Sequence, residues 1–144
     1  MNDLAIAQAL AARSTAAASP AGYAAVRQAS AVPLDSIAAT PSILVLPGGD
    51  QIETGGKTRR TVITYTVRLY LEPIGDIARR TQALYAYRTW LRELYDGAVT
   101  LSGNVDQAAV TGTTLGTDEV AGIDYMTVEA TVECVKQEAV NFTA

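Results

Sequence analysis

The feature that most constrains this chain is a strict two-residue period in two long stretches. Over residues 58–71, Thr61, Ile63, Tyr65, Val67, Leu69 and Leu71 fall on one side, and Arg60, Val62, Thr64, Thr66, Arg68 and Tyr70 on the other. In 123–137, Met126, Val128, Ala130, Val132 and Cys134 alternate in the same way with Tyr125, Thr127, Glu129, Thr131 and Glu133. Successive side chains of a strand point to opposite faces, so both stretches read as half-buried strands. One face packs on a core, and the other meets water or another subunit.

Between them the period changes to that of a helix. At one hundred degrees per residue, Ile77, Ala83, Leu84, Tyr87, Trp90, Leu91, Leu94 and Tyr95 gather in one arc, which predicts a core helix over 76–96. Asp76 is the expected N-cap and Gly97 the expected stop, while Pro73 ends the preceding strand. The segment 42-SILVLPGG-49 reads as a brief apolar strand ended by Pro47 and two glycines. Further strands are expected near 98–102 and 105–116, where Gly and Thr weaken the pattern. These elements imply an α+β fold class: a mainly antiparallel or mixed sheet with one long helix packed on a face.

Fifteen of the first forty residues are alanine. A short helix is expected over 3–13 with Asp3 as its cap, followed by an irregular arm to Pro41 with a helical turn near 22–29. Such arms often order only against a neighbour. The chain of 144 residues is the size of one domain: residues 1–41 as Ala-rich helix and arm, 42–137 as core, 138–144 as tail.

The stretch 53-ETGGKTRRTV-62 contains Gly-Gly-Lys-Thr, the second half of a phosphate-binding loop. That motif needs an earlier glycine and a helix immediately after it. Here Gln51 stands where the first glycine belongs, and the run after Thr58 is rich in β-branched and aromatic residues. Gly55 and Gly56 are therefore expected to form a hairpin turn.

Composition narrows the chemistry. There is no histidine, which removes the commonest general base and metal ligand. The acids are scattered, with no Asp-x-Asp-x-Asp calcium loop, and the single cysteine, Cys134, sits on an apolar strand face as a small hydrophobe. Catalysis, cofactors and metals are accordingly not expected. Asn141-Phe142-Thr143 matches a glycosylation acceptor, but the N-terminus lacks the basic start and apolar run of a secretory signal. No run of eighteen apolar residues is present, and the protein is expected in the cytosol or in an assembly built from it.

Charge is split along the chain. Eight of the eleven basic residues lie between Lys57 and Arg92, whereas from Asp106 onward seven acids face only Lys136. Opposite patches on different faces suit a head-to-tail contact that closes into a ring. Candidate contacts are Gly49, Asp50, Gly55 and Gly56 on the hairpin, and Arg79, Arg80, Arg88 and Arg92 on the helix. The arginines are expected to meet a neighbour's Asp118, Glu119, Glu129 or Glu133. Lys57, Arg59 and Arg60 form a small basic cluster. In a chain of net charge −4 it suits the lining of a passage for DNA better than a dedicated DNA-binding surface. Trp90, Tyr87 and Tyr95 are expected in the core, with Tyr85, off the main arc, as a subunit contact.

Over residues 43–137 the chain resembles the tail terminator proteins of long-tailed, non-contractile bacteriophages. The similarity lies in 43-ILVLPGGDQI-52, 61-TVITYTVRLYLEP-73, the arginine-bearing 75-GDIARRTQALYAYRTWLRELYDG-97 and the closing 123-IDYMTVEATVECV-135. The resemblance implies a hexameric ring that caps the finished tail tube, stops its polymerisation and presents a surface to the head-to-tail connector. It also implies a place in the virion, with DNA passing through the channel. A head-to-tail connector or neck adaptor is the alternative structural reading. A small cytosolic ligand-binding domain is the alternative from another class.

Overall fold

Two alternating strands and a helix of matching length require a sheet with one covered face, and the chain builds that arrangement. The computed structural model describes residues 2–33, 35–73, 77–96, 100–101 and 103–139, with only the backbone described at 72, 73 and 77–80. In chain order the elements are α1 (Asp3–Ala16), β1 (Gln28–Ser30), β2 (Ser42–Gly55), β3 (Thr58–Pro73), α2 (Ile77–Leu94), β4 (Gln107–Val120) and β5 (Ile123–Ala139). The sheet order is β1-β2-β3-β5-β4. The four long strands are antiparallel neighbours, and short β1 joins β2 in parallel, so the sheet is mixed and the fold α+β.

Register turns the sequence alternation into a core. Ile63, Tyr65, Val67 and Leu69 of β3 stand opposite Cys134, Val132, Ala130 and Val128 of β5, while Ile43 and Val45 of β2 continue the same face. All ten are nearly or fully excluded from solvent. Ile6, Leu10, Leu84 and Leu91 from the two helices, with Tyr95 just past the second, complete the cluster, so both helices lie on this one face. Burying each such large side chain contributes about 1.5–3 kcal/mol.

Several boundaries differ from expectation. α1 runs to Ala16 and is capped by Asn2, whose Oδ1 accepts from the Ala5 amide at 3.0 Å; Asp3 is already helical. β2 does not stop at Pro47 but continues to Gly55 through a register shift between Pro47 and Asp50. The proline lies beyond the Ser42–Leu44 stretch that pairs with β1, on a free edge where a missing donor costs the ladder nothing. Residues 22–29 form no helical turn: Gly22 takes a positive φ of 81°, and Gln28–Ser30 is strand. Of the strand expected at 98–102, the described residues 100 and 101 lie outside any strand, and Leu101 is buried with φ 49°. β4 ends at a two-residue turn, Ala121–Gly122, whose φ values of 52° and 78° give the mirror-image turn that suits a tight hairpin. β5 extends through Ala139 into the expected tail, while the expected caps Asp76 and Gly97 lie outside the described residues.

The arm, expected to order against a neighbour, is docked on its own chain. Tyr87 Oη donates to the Ala24 carbonyl at 2.5 Å and Trp90 Nε1 to the Ala18 carbonyl at 2.7 Å. Tyr23 meets the Tyr87 ring edge-on at 5.8 Å, Val26 is buried, and the Arg27 amide donates to the Pro41 carbonyl at 2.9 Å.

Candidate assembly surface

Three features stand clear of the core: a projecting hairpin, a bare sheet edge and the sheet face away from the helices. Residues 47–60 are exposed without interruption. Alternate residues of a strand face opposite ways, so this hairpin is open to solvent on both faces and reaches past the helix layer. Its turn is carried by Gly56 at φ 60°, and Thr58 Oγ1 closes it by donating to the Gly55 carbonyl at 3.0 Å. Strand, not helix, follows Thr58, so the Gly-Gly-Lys-Thr segment lacks the helix N-terminus that a phosphate loop needs.

The hairpin gathers Gly49, Asp50, Gly55, Gly56, Lys57, Arg59 and Arg60 on one element. Arg59 stands opposite Thr54 and Glu138 and approaches the Glu138 carboxylate at 3.9 Å; Arg60 stands between Glu53 and Gln137. Ile52, on the same hairpin, is 56% exposed. At the base, a Cβ on Gly48 would meet the Thr64 carbonyl oxygen at 2.7 Å, so only glycine fits there.

β4 forms the opposite edge. From Gln107 to Thr117 it holds neither charge nor proline, the usual devices that blunt an exposed edge. A register shift between Val110 and Gly112 is its one irregularity. Beside it, on the helix side, lies an open cavity of about 310 Å³ lined by Arg92, Asp96, Val110, Thr111, Gly112 and Thr113. Arg92 Nη2 donates to Thr113 Oγ1 at 3.3 Å. Arg88 holds a buried Nε with no acceptor among the described residues, and Tyr85 is 57% exposed. The side chains of Arg79 and Arg80 lie outside the described residues.

The sheet face away from the helices carries a charged network centred on Arg68, which the sequence pattern did not single out. Its Nε donates to Glu129 Oε1 at 2.5 Å and its Nη1 to Tyr70 Oη at 3.2 Å, with Asp118 Oδ2 at 3.4 Å. Tyr70 Oη donates to Asp118 Oδ2 at 2.6 Å, and its ring meets Tyr125 edge-on. Burial opposes the Arg68 charge, but the bonds to Tyr70 and Glu129 outweigh it and raise the guanidinium pKa. Burial and the bond to Asp118 likewise raise the Tyr70 phenol. Two of the acids expected to meet a neighbour's arginines, Asp118 and Glu129, are thus engaged within their own sheet. Glu119 is exposed beside the β4–β5 turn, and Glu133 lies across from Thr64 and Ala109 on the face away from the helices. The available signal was that Arg68 and Tyr70 share the polar side of β3, as Glu129 does on β5; only the register joins them.

Cys134 is fully buried, and burial, with the nearby Glu133 charge, pushes its thiol up to about 12. Among the described residues, no cluster of three potential metal ligands is present and no helix is long and apolar enough to cross a membrane. No protein-family model matches the chain, and no curated protein is similar enough in sequence to be counted a relative.

Proposed function

We propose that this chain is a structural virion subunit, a tail terminator that assembles into a ring, caps the tail tube and halts its growth. The observation that carries the reading is the projecting hairpin at 47–60, open on both faces, on a sheet whose opposite edge is also bare. A monomer gains little from extending a hairpin away from its core, because such an element is marginal without further packing. An assembling subunit uses it. The mechanism is steric: one face of the ring copies the last layer of the tube and binds it, while the other offers no site for another tube subunit. That second face is then free for the head-to-tail connector, and DNA traverses the channel.

Lys57, Arg59 and Arg60 at the hairpin end are the residues proposed to line the passage. Reversing all three to Glu is expected to lower particle yield or DNA retention, with folding unchanged because the three are exposed.

The test of the whole reading is to remove the protein during phage assembly and to image the tails. Tubes longer than normal and unjoined to heads support it. Tails of normal length overturn it, and location on the portal side as a twelvefold ring would move the chain to the neck adaptors.

A further inference from the structure

The four long strands alternate in direction in the order β2, β3, β5, β4, so the two outer strands run in opposite senses. If a second copy is placed beside the first by rotation about an axis inclined to the strands, as in a closed barrel, its β2 therefore lies antiparallel to β4 of the first and staggered against it. β1 covers only Ser42–Leu44 of β2, which leaves residues 46–55 as an edge on the hairpin. Residues 107–117 of β4 offer an uncharged edge of similar length.

Side chains select the match and with it the stagger: through the registers Asp50 is level with Ala108 and Ile52 with Lys136, so reaching residues 110–113 needs the next copy offset along the strands. Asp50 and Ile52 stand opposite Ile63 and Thr61, both buried core-face residues, so they point to the helix side of the sheet. The cavity beside β4 opens on that same side, with Arg92 and Val110 in its wall. An exposed isoleucine and a carboxylate two residues apart on one edge thus find an apolar residue and a guanidinium at the other.

We infer that the free β2 edge of one copy adds to the β4 edge of the next, seating Ile52 in the cavity and setting the Asp50 carboxylate against the Arg92 guanidinium. The inference rests on the self-association proposed above, and it supplies the contact that repeats around the ring. Asp96 lines the same cavity, so an incoming carboxylate gains there only by reaching Arg92.

The test is a charge exchange read by native mass measurement across a concentration series. Asp50 and Arg92 are both exposed, so their variants keep the fold. Arg92→Glu places two acids opposite Asp50 and is expected to weaken assembly at least about tenfold. Adding Asp50→Lys to Arg92→Glu should restore it. Protection of β2 and β4 edge amides from hydrogen exchange should appear in the assembled form alone. Arg92→Glu assembling like the unaltered chain, or the double variant failing to recover, overturns the inference. So does an unaltered chain that stays monomeric at every concentration. In each of these cases the tail-length experiment decides separately whether the chain ends tails.

Discussion

The Tyr95 hydroxyl donates to the Leu10 carbonyl at 2.8 Å, joining the residue after α2 to α1 across 85 positions of sequence. It has two counterparts: Tyr65 Oη donates to the Asp3 carbonyl at 2.8 Å, and Arg13 Nε to the Leu94 carbonyl at 2.5 Å. α1 buries only the small Ala7, Ala11 and Ser14 beside Ile6 and Leu10, so directional bonds to backbone carbonyls help set where it sits.

Tyr95→Phe removes one of these bonds without changing the volume of the core. A net loss of about 1 kcal/mol is expected, or roughly 3–4 °C in Tm. Urea and thermal unfolding measure it, and an unchanged midpoint would mean that packing alone holds α1.

Stability should decline in alkali. In the unfolded chain the Cys134 thiol titrates near 9.0 and the phenols of Tyr65 and Tyr95 near 10.0, while in the folded chain burial raises all three, Cys134 to about 12. Groups kept neutral by folding contribute fully below their unfolded pKa, and that contribution is lost as pH rises through the folded value. The urea midpoint is expected to fall from pH 9 upward. Cys134→Ala should flatten the part of the slope that begins nearest pH 9. A thiol reagent at neutral pH should label the protein only as fast as it unfolds.

Gly48→Ala places a methyl group against the Thr64 carbonyl and should cost about 1–3 kcal/mol. Gly49→Ala meets open space and should leave stability unchanged or raise it by about 0.5 kcal/mol. Equal effects in paired urea titrations would contradict the close approach at the base of the hairpin.

Trp90 is the single tryptophan, and its indole holds the Ala18 carbonyl. Trp90→Phe should loosen the arm before the sheet unfolds. The expected readout is severalfold faster tryptic cleavage after Arg27 with the urea midpoint lowered by only about 1 kcal/mol. In the unaltered chain, fluorescence should report release of the arm as a step preceding global unfolding.

How much of this was legible in sequence depended on what each residue faces. β3 and β5 were plain because each has one buried side, as Val67 and Ala130 show. β4 was faint for a definite reason: its register shift moves the core-facing positions from Ala108 and Val110 to Thr113 and Leu115, and an odd step breaks any two-residue period. Pro47-Gly48-Gly49 has the composition of a strand end, and only the free edge lets the strand run through it. Docking of the arm left no pattern, since Ala18 and Ala24 act through their carbonyls and any residue has one. The same holds for Arg68 with Glu129, whose meeting depends on register between strands 61 positions apart.

On the assembly proposed above, two bare edges of opposite sense on one small sheet carry a hazard as well as a use. A subunit able to add to its own kind at both sides is also the repeat unit of an endless fibril, and only a fixed rotation at each joint turns the growing row back on itself. On that reading, substitutions that flatten the β2–β3 hairpin, while harmless to the core, should surface first as insolubility.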